Sequence, residues 1–260
     1  MNVLMIGDIF GKPGRRAVKK LLPEIIRNYQ VDFVIANGEN AAGGTGITHD
    51  TADELLSSGI DVLTMGNHVW DKKEVFNFID MEKRILRPAN YPPGTPGLGF
   101  NVFQAHNNLD VAVVNLSGRV FIGHLDCPFR ILEDILISLK KKTQIIFVDF
   151  HAEATSEKLA MGWYLDGRVT AICGTHTHIQ TADARVLPGG TAYITDLGMT
   201  GPRNSVLGVE SSLVIQKFLT QMPVKFEVAG GPAQFNGVII GLNTVTGKAT
   251  GITTLFEILD

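Results

Sequence analysis

The chain has 260 residues, 45% of them hydrophobic and 19% charged, with 23 Lys and Arg against 26 Asp and Glu for a formal charge of −3. This excludes an intrinsically disordered chain, a disulfide framework, since only two cysteines occur, and a protein that grips a nucleic-acid backbone by bulk positive charge. No run of 18 apolar residues is long enough to span a membrane, and residues 1–14 lack the basic flank of a signal peptide. The expectation is a soluble cytoplasmic protein with one domain over 1–260.

Residues 3–6 form a continuous apolar run ending in Gly7-Asp8, the pattern of a strand buried on both faces. A helix follows: Pro13 stands where a first turn tolerates it, and Val18, Leu21, Leu22, Ile25, Ile26 and Tyr29 share one face. Strands are predicted over 33–36 and 62–65, running into Asn37-Gly38-Glu39-Asn40 and Gly66-Asn67-His68. Between them, a Gly-rich loop over 41–46 leads to a helix in which Thr51 and Glu54 read as a capping box. Beyond a Pro/Gly-rich stretch, 88–99, a strand is predicted over 111–116. The helix behind Pro128 turns Ile131, Leu132, Ile135, Leu136 and Leu139 inward and ends in three lysines that complement the helix dipole. Strands over 145–150 and 169–173 end at His151 and at Gly174-Thr175-His176-Thr177-His178. From 191 the pattern changes to strands over 191–195, 224–228, 237–240 and 252–256, with one helix near 211–219. Strand-helix alternation followed by successive strands argues an α/β layered fold with a mixed sheet or two sheets.

Five predicted strands end in metal-ligating residue types: Asp8; Glu39 with Asn40; Asn67 with His68; His151; and His176 with His178. The carboxyl ends of parallel strands open on one crevice, so these positions can meet there. Within a regular strand His176 and His178 would face opposite ways. Past the strand end, where Gly174 loosens the backbone, both rings can turn to one centre. The donors are oxygen and nitrogen, which suits Mn, Fe, Zn or Co. They exceed the needs of one ion. Two ions about 4 Å apart, bridged by a central carboxylate such as Glu39, are the natural use and clamp an in-line displacement at phosphorus.

The ordered set Asp8, Gly38-Glu39-Asn40, Gly66-Asn67-His68, His151 and Gly174-Thr175-His176-Thr177-His178 resembles the motifs of calcineurin-like metallophosphoesterases. The segments 7–15 (GDIFGKPGR), 37–40 (NGEN), 149–158 (DFHAEATSEK) and 174–178 (GTHTH) are similar to the YmdB-like branch, known as 2′,3′-cyclic-nucleotide phosphodiesterases. The resemblance implies a single-domain, four-layer αββα sandwich with two transition-metal ions, iron or manganese ahead of zinc. It places one ion on Asp8, Glu39, Asn40 and His178, and the other on Glu39, Asn67, His151 and His176. It also implies in-line attack on phosphorus by a hydroxide shared between the ions, with His68 protonating the leaving ribose oxygen. The substrate implied is a small phosphodiester such as a cyclic nucleotide, and a homo-oligomer is compatible with it. A phosphomonoesterase or nuclease on the same centre stays open, as does a non-catalytic or RNA-associated scaffold with a degenerate metal site.

The chain also departs from the wider pattern. Phe10 stands where a histidine is usual. Val69 stands where an acidic partner for His68 is usual, so that partner is expected to be missing. Lys12 and Arg15 open a helix beside the crevice and read as solvated helix-start charges ahead of phosphate ligands. Residues 196–207 are long and stiffened enough for a crevice wall. His49, His106 and His124 read as surface or supporting residues, Cys173 as a small buried hydrophobe, and Trp70 and Trp163 as packing residues ahead of base-stacking ones.

Overall fold

The computed structural model describes residues 1–260. Its first half runs β1 (Asn2–Ile6), β2 (Asp8–Ile9), α1 (Gly11–Tyr29), β3 (Phe33–Asn37), α2 (His49–Ser57), β4 (Val62–Thr64), β5 (Ile85–Leu86), β6 (Phe100–Gln104), β7 (Asp110–Ser117) and α3 (Pro128–Leu139). The second half runs β8 (Ile146–His151), α4 (Thr155–Leu165), β9 (Ala171–Thr175), β10 (Arg185–Val186), β11 (Ala192–Ile194), β12 (Met199–Pro202), α5 (Ser211–Thr220), β13 (Ala233–Leu242) and β14 (Ala249–Leu259).

The strands form two sheets. An eight-stranded one has the order β2-β12-β13-β1-β3-β4-β5, with β14 paired to β13. In it β1, β3, β4 and β5 are parallel, while β13 runs antiparallel to β1 with Met5 opposite Val238. The six-stranded sheet has the order β10-β11-β9-β8-β7-β6, and β7, β8, β9 and β11 are parallel. Parallel strands covered on both faces must be apolar nearly throughout, and β1, β3, β4, β8 and β9 are buried at every position but Asn2.

Three apolar clusters give each face its partner. Val18, Leu22 and Ile25 of α1 and Leu55 of α2 pack on Leu4, Val34 and Leu63 of the eight-stranded sheet. The opposite faces of the same strands, through Val3, Met5, Phe33 and Ile35, meet Val111, Val113, Phe147 and Cys173 of the six-stranded sheet. The far side of that second sheet, with Val114, Val148 and Ile172, takes Leu132, Leu136 and Leu139 of α3 and Met161 and Leu165 of α4.

Two local expectations change, and one helix is an element that the sequence reading did not name. The capping box of α2 is built by Thr48 and Thr51, each side chain meeting the other's backbone N–H, and Glu54 instead pairs with Arg15 at 2.6 Å. Residues 224–228 form no strand. Val228 makes one isolated bridge to Val209, and the ladder goes no further because the opposing segment enters α5 at Ser211. Helix α4 carries no amphipathic signal in the sequence: Met161, Gly162 and Leu165 are buried while Leu159, Trp163 and Tyr164 are exposed, so its apolar residues make no single stripe.

Candidate metal centre

The carboxyl ends of β1, β3, β4, β8 and β9 deliver the candidate residues, three strands from one sheet and two from the other. His151 lies at the middle of the group. Its Nε2 is 3.0 Å from Glu39 Oε1, 3.0 Å from Asn67 Oδ1 and 2.9 Å from His176 Nδ1. Asp8 Oδ1 stands 3.9 Å from His151 Nδ1 and 3.9 Å from His178 Nε2, and the His176 N–H donates to Asp8 Oδ2 at 3.2 Å. Asn40 donates its amide to the Gly44 carbonyl at 2.9 Å. Its Oδ1 and Asp8 Oδ1 are buried with no hydrogen-bond partner. Glu39, His151 and His176 together form a group able to hold a metal ion.

A hydrogen-bond relay shows why these atoms suit a cation. The Thr175 hydroxyl gives its proton to Asp149 Oδ1 at 2.7 Å, so its oxygen accepts from His151 Nδ1 at 2.9 Å. Asp149 is itself held by Asn37 and Thr64. The other ring nitrogen of His151 then faces Glu39, Asn67 and His176, and a single proton there cannot satisfy three acceptors. Ligand atoms sharing an ion at 2.0–2.2 Å stand roughly 3 Å apart, which is the spacing found. The two orphaned oxygens of Asp8 and Asn40 fit the same use, since buried polar atoms are almost always partnered.

The electrostatics are those of a closely packed charge cluster. Burial raises Asp8 to about 6 against the pull of His178 and His151. Burial would raise Glu39 too, but His151 and His68 outweigh it and hold the carboxyl at about 2. For His151, burial works against the charged ring while Glu39, Asp8 and Asp149 favour it, and it is raised to about 9. Burial and the neighbouring His151 depress His176 to about 3.

Backbone geometry makes the convergence feasible. His176 and His178 have φ values of +103° and +65°, a left-handed backbone that costs non-glycine residues of order 1–3 kcal/mol each. By leaving strand geometry at Thr175 the chain turns both rings inward. Gly66 is required by contact: a Cβ there would stand 2.2 Å from Glu39 Oε2 and 2.4 Å from His151 Nε2.

A cavity of about 560 Å³ opens onto the group. Its polar lining includes Glu39, Asn40, His68, His176, His178, Glu153 and Glu227, and its apolar lining includes Phe10, Leu207, Val209, Phe226 and Val228. No Lys or Arg lines it. Phe10, in the place of the usual histidine, packs edge-on to His178 with ring centroids 5.6 Å apart. Glu153 Oε2 lies 3.1 Å from His176 Nε2.

His68 has the orienting partner that Val69 does not provide. Asp71, three residues on, meets its Nδ1 at 2.8 Å, and the His68 N–H donates to Glu39 Oε2 at 3.1 Å. Arg15 turns from the cavity to Glu54 and to the Ala41 carbonyl, and Lys12 is exposed. Of residues 196–207 only Leu207 reaches the cavity, because Met199–Pro202 is a strand of the eight-stranded sheet. Val209 and segment 224–228, the latter expected as a strand, supply the rest of that wall. Cys173 is buried between the sheets. Trp70 stacks on Phe76, and neither tryptophan lines the cavity. His49, His106 and His124 lie outside it. Glu153, Asp149 and the wall residues Phe226 and Val228 escape the sequence reading. Only Glu153 and Asp149 carry a signal there, their adjacency to His151.

Comparison with known proteins follows the same lines. Residues 4–255 match the family of YmdB-like proteins. The chain is 52% identical over 252 residues to a 2′,3′-cyclic-nucleotide 2′-phosphodiesterase of Bacillus subtilis (strain 168), covering 97% of this chain and 95% of that one. A crystal structure of a hypothetical protein from Thermus thermophilus superposes with a TM-score of 0.93 at 43% identity, over 99% of each chain. A crystal structure of a phosphatase from Mycoplasma pneumoniae gives a TM-score of 0.93 at 35% identity, over 99% of this chain and 93% of that one. With a match from near one end to the other and a relative at this identity, the chain belongs to the YmdB-like protein family.

Proposed function

We propose that the chain is a metal-dependent phosphodiesterase of small phosphodiesters, 2′,3′-cyclic nucleotides first, in one domain over residues 1–260. The observation that carries this reading is the convergence of Glu39 Oε1, Asn67 Oδ1 and His176 Nδ1 on His151 Nε2, all within 3.0 Å. The relatives add a named cyclic-nucleotide 2′-phosphodiesterase at 52% identity. The three stacked apolar clusters support a four-layer αββα sandwich of the calcineurin-like kind.

Glu39, Asn67, His151 and His176 would hold one transition-metal ion. Asp8, Asn40 and His178, with Glu39 shared, would hold a second; iron or manganese suits the donors, and zinc is compatible with them. Such ions, when bound, supply Lewis-acid stabilisation at phosphorus and a nucleophile at neutral pH. The chain's own part is to position and protonate. Glu39 fixes the His68 backbone, Asp71 fixes its ring through Nδ1, and His68 Nε2 is then the atom that delivers a proton to the leaving ribose oxygen. A cavity of about 560 Å³ is of small-molecule size. Its lining has no Lys or Arg to follow a polyanion.

The test compares 2′,3′-cyclic AMP, para-nitrophenyl phosphate, its bis-ester and RNA on protein loaded with manganese or iron. The cyclic nucleotide is expected to turn over fastest. Preference for the monoester or for RNA, or no turnover after loading, overturns the reading.

A further inference from the structure

Lys158 and Asp196 have no part in the chemistry above, yet both are buried, with Nζ 2.6 Å from Oδ2. A buried ion pair is at best an even exchange with apolar side chains of similar volume, so bulk stability gives no reason for one here. What it holds does.

Asp196 follows β11 and Lys158 lies on α4. Asp196 Oδ2 accepts a second hydrogen bond at 3.0 Å from the backbone N–H of Thr177, the residue between His176 and His178. Its Oδ1 accepts from the Gly198 N–H at 2.9 Å. The Gly198 carbonyl in turn accepts from the Asp8 N–H at 3.0 Å, and the Met199 N–H donates to the His178 carbonyl at 3.1 Å. Thr181 clamps the backbone of Asp196 from both sides, its hydroxyl accepting from the Asp196 N–H at 2.9 Å and its N–H donating to the Asp196 carbonyl at 3.1 Å. One carboxylate therefore sets the chain at Asp8 and at 176–178 in a common frame. The lysine neutralises that carboxylate without adding a donor to the cavity. Room for its stem comes from Gly174, where a Cβ would lie 3.0 Å from Lys158 Cδ and 1.8 Å from the Thr195 carbonyl oxygen.

We propose that the buried Lys158–Asp196 pair is a positioning device for the metal centre, holding the left-handed segment 176–178 and Asp8 at the spacing that a second ion requires. The proposal rests on the metal reading of the site. Neither residue touches substrate or reacting atoms. Both act through the backbone of residues that do.

The experiment titrates manganese into metal-stripped protein by calorimetry, well below its melting temperature, and follows turnover of 2′,3′-cyclic AMP. Lys158→Met/Asp196→Asn removes both charges together, which avoids leaving one buried charge unpaired. Thr191→Val is the control, since Thr191 hydrogen-bonds the Leu165 and Val169 carbonyls at the other end of β11. The double variant is expected to fold, to bind one ion on the order of 10–100-fold more weakly, and to keep the other. Its turnover should fall when the ion is scarce and recover as the ion concentration is raised, while the control binds both ions as wild type does. Wild-type affinity for both ions in the folded double variant overturns the proposal. So does an equal loss in the Thr191→Val control, which would make affinity a mere reflection of stability. Should the double variant not fold, Lys158→Gln/Asp196→Asn, which removes both charges but keeps a polar group at each position, is read in the same way. A wild-type chain that takes up no ion overturns the metal reading and this proposal with it.

Discussion

Burial and three carboxylates act on His151 in opposite directions, and the carboxylates prevail, raising it to about 9. In the metal-free protein Nε2 therefore carries a proton at neutral pH, among Glu39, Asn67 and His176, and an ion taken up there displaces it. Asp8, raised to about 6, contributes a second displaced proton only below that pH. Apparent metal affinity is thus expected to rise with pH up to about 9, and more steeply below about 6. Calorimetry in buffers of different ionisation enthalpy counts the protons, and an affinity flat between about pH 6 and about pH 9 contradicts this account. At Glu39 the expected effect is larger. Glu39→Ala removes the carboxylate proposed to be shared, and metal analysis should find both ions gone. His68→Ala leaves every proposed ligand in place, so metal content should hold while kcat falls about 10²–10⁴-fold, the usual contribution of a positioned acid. Turnover near wild type would assign the proton delivery elsewhere.

At the scale of elements, α2 matters through its beginning. Thr48 and Thr51 satisfy its first backbone donors, and its Glu54 holds Arg15, which in turn holds the Ala41 carbonyl beside the cavity loop. Thr48→Ala is expected to cost about 1 kcal/mol, read as a lower melting temperature with metal content unchanged. The strands that carry the site were legible in the sequence for a physical reason. With both faces covered they are apolar nearly throughout, so the cluster of polar residues just beyond each run, including Asp8, Glu39, Asn67 and His176, marks where the chain enters the crevice. The short strands β2, β5, β10 and β12 have too few residues to show a period. Residues 224–228 carry the alternation of a strand but pair only through the single bridge from Val228 to Val209. The orientation of His68 was equally hidden, because Asp71 reaches it through a turn and not from the adjacent position.

For the whole molecule, the site is a seam. Asp8, Glu39, Asn40 and Asn67 come from one sheet and His151, His176 and His178 from the other, so bound ions would fasten the two sheets at one end of their shared core. A ligand at 100 times its Kd adds about 2.7 kcal/mol to folding stability. That corresponds to roughly 5–10 °C in melting temperature for a chain of this size. Calorimetric scans with metal and with chelator should differ by about that much, and coincident scans would separate the sheets' stability from the ions. The cavity lining carries Glu39, Glu153 and Glu227 and not one guanidinium or ammonium group. Without the proposed ions, such a surface would turn phosphate away. Metal supply would then govern more than the rate of hydrolysis: it would decide whether an anionic nucleotide docks at all, making the protein's affinity for its substrate a readout of how much metal surrounds it.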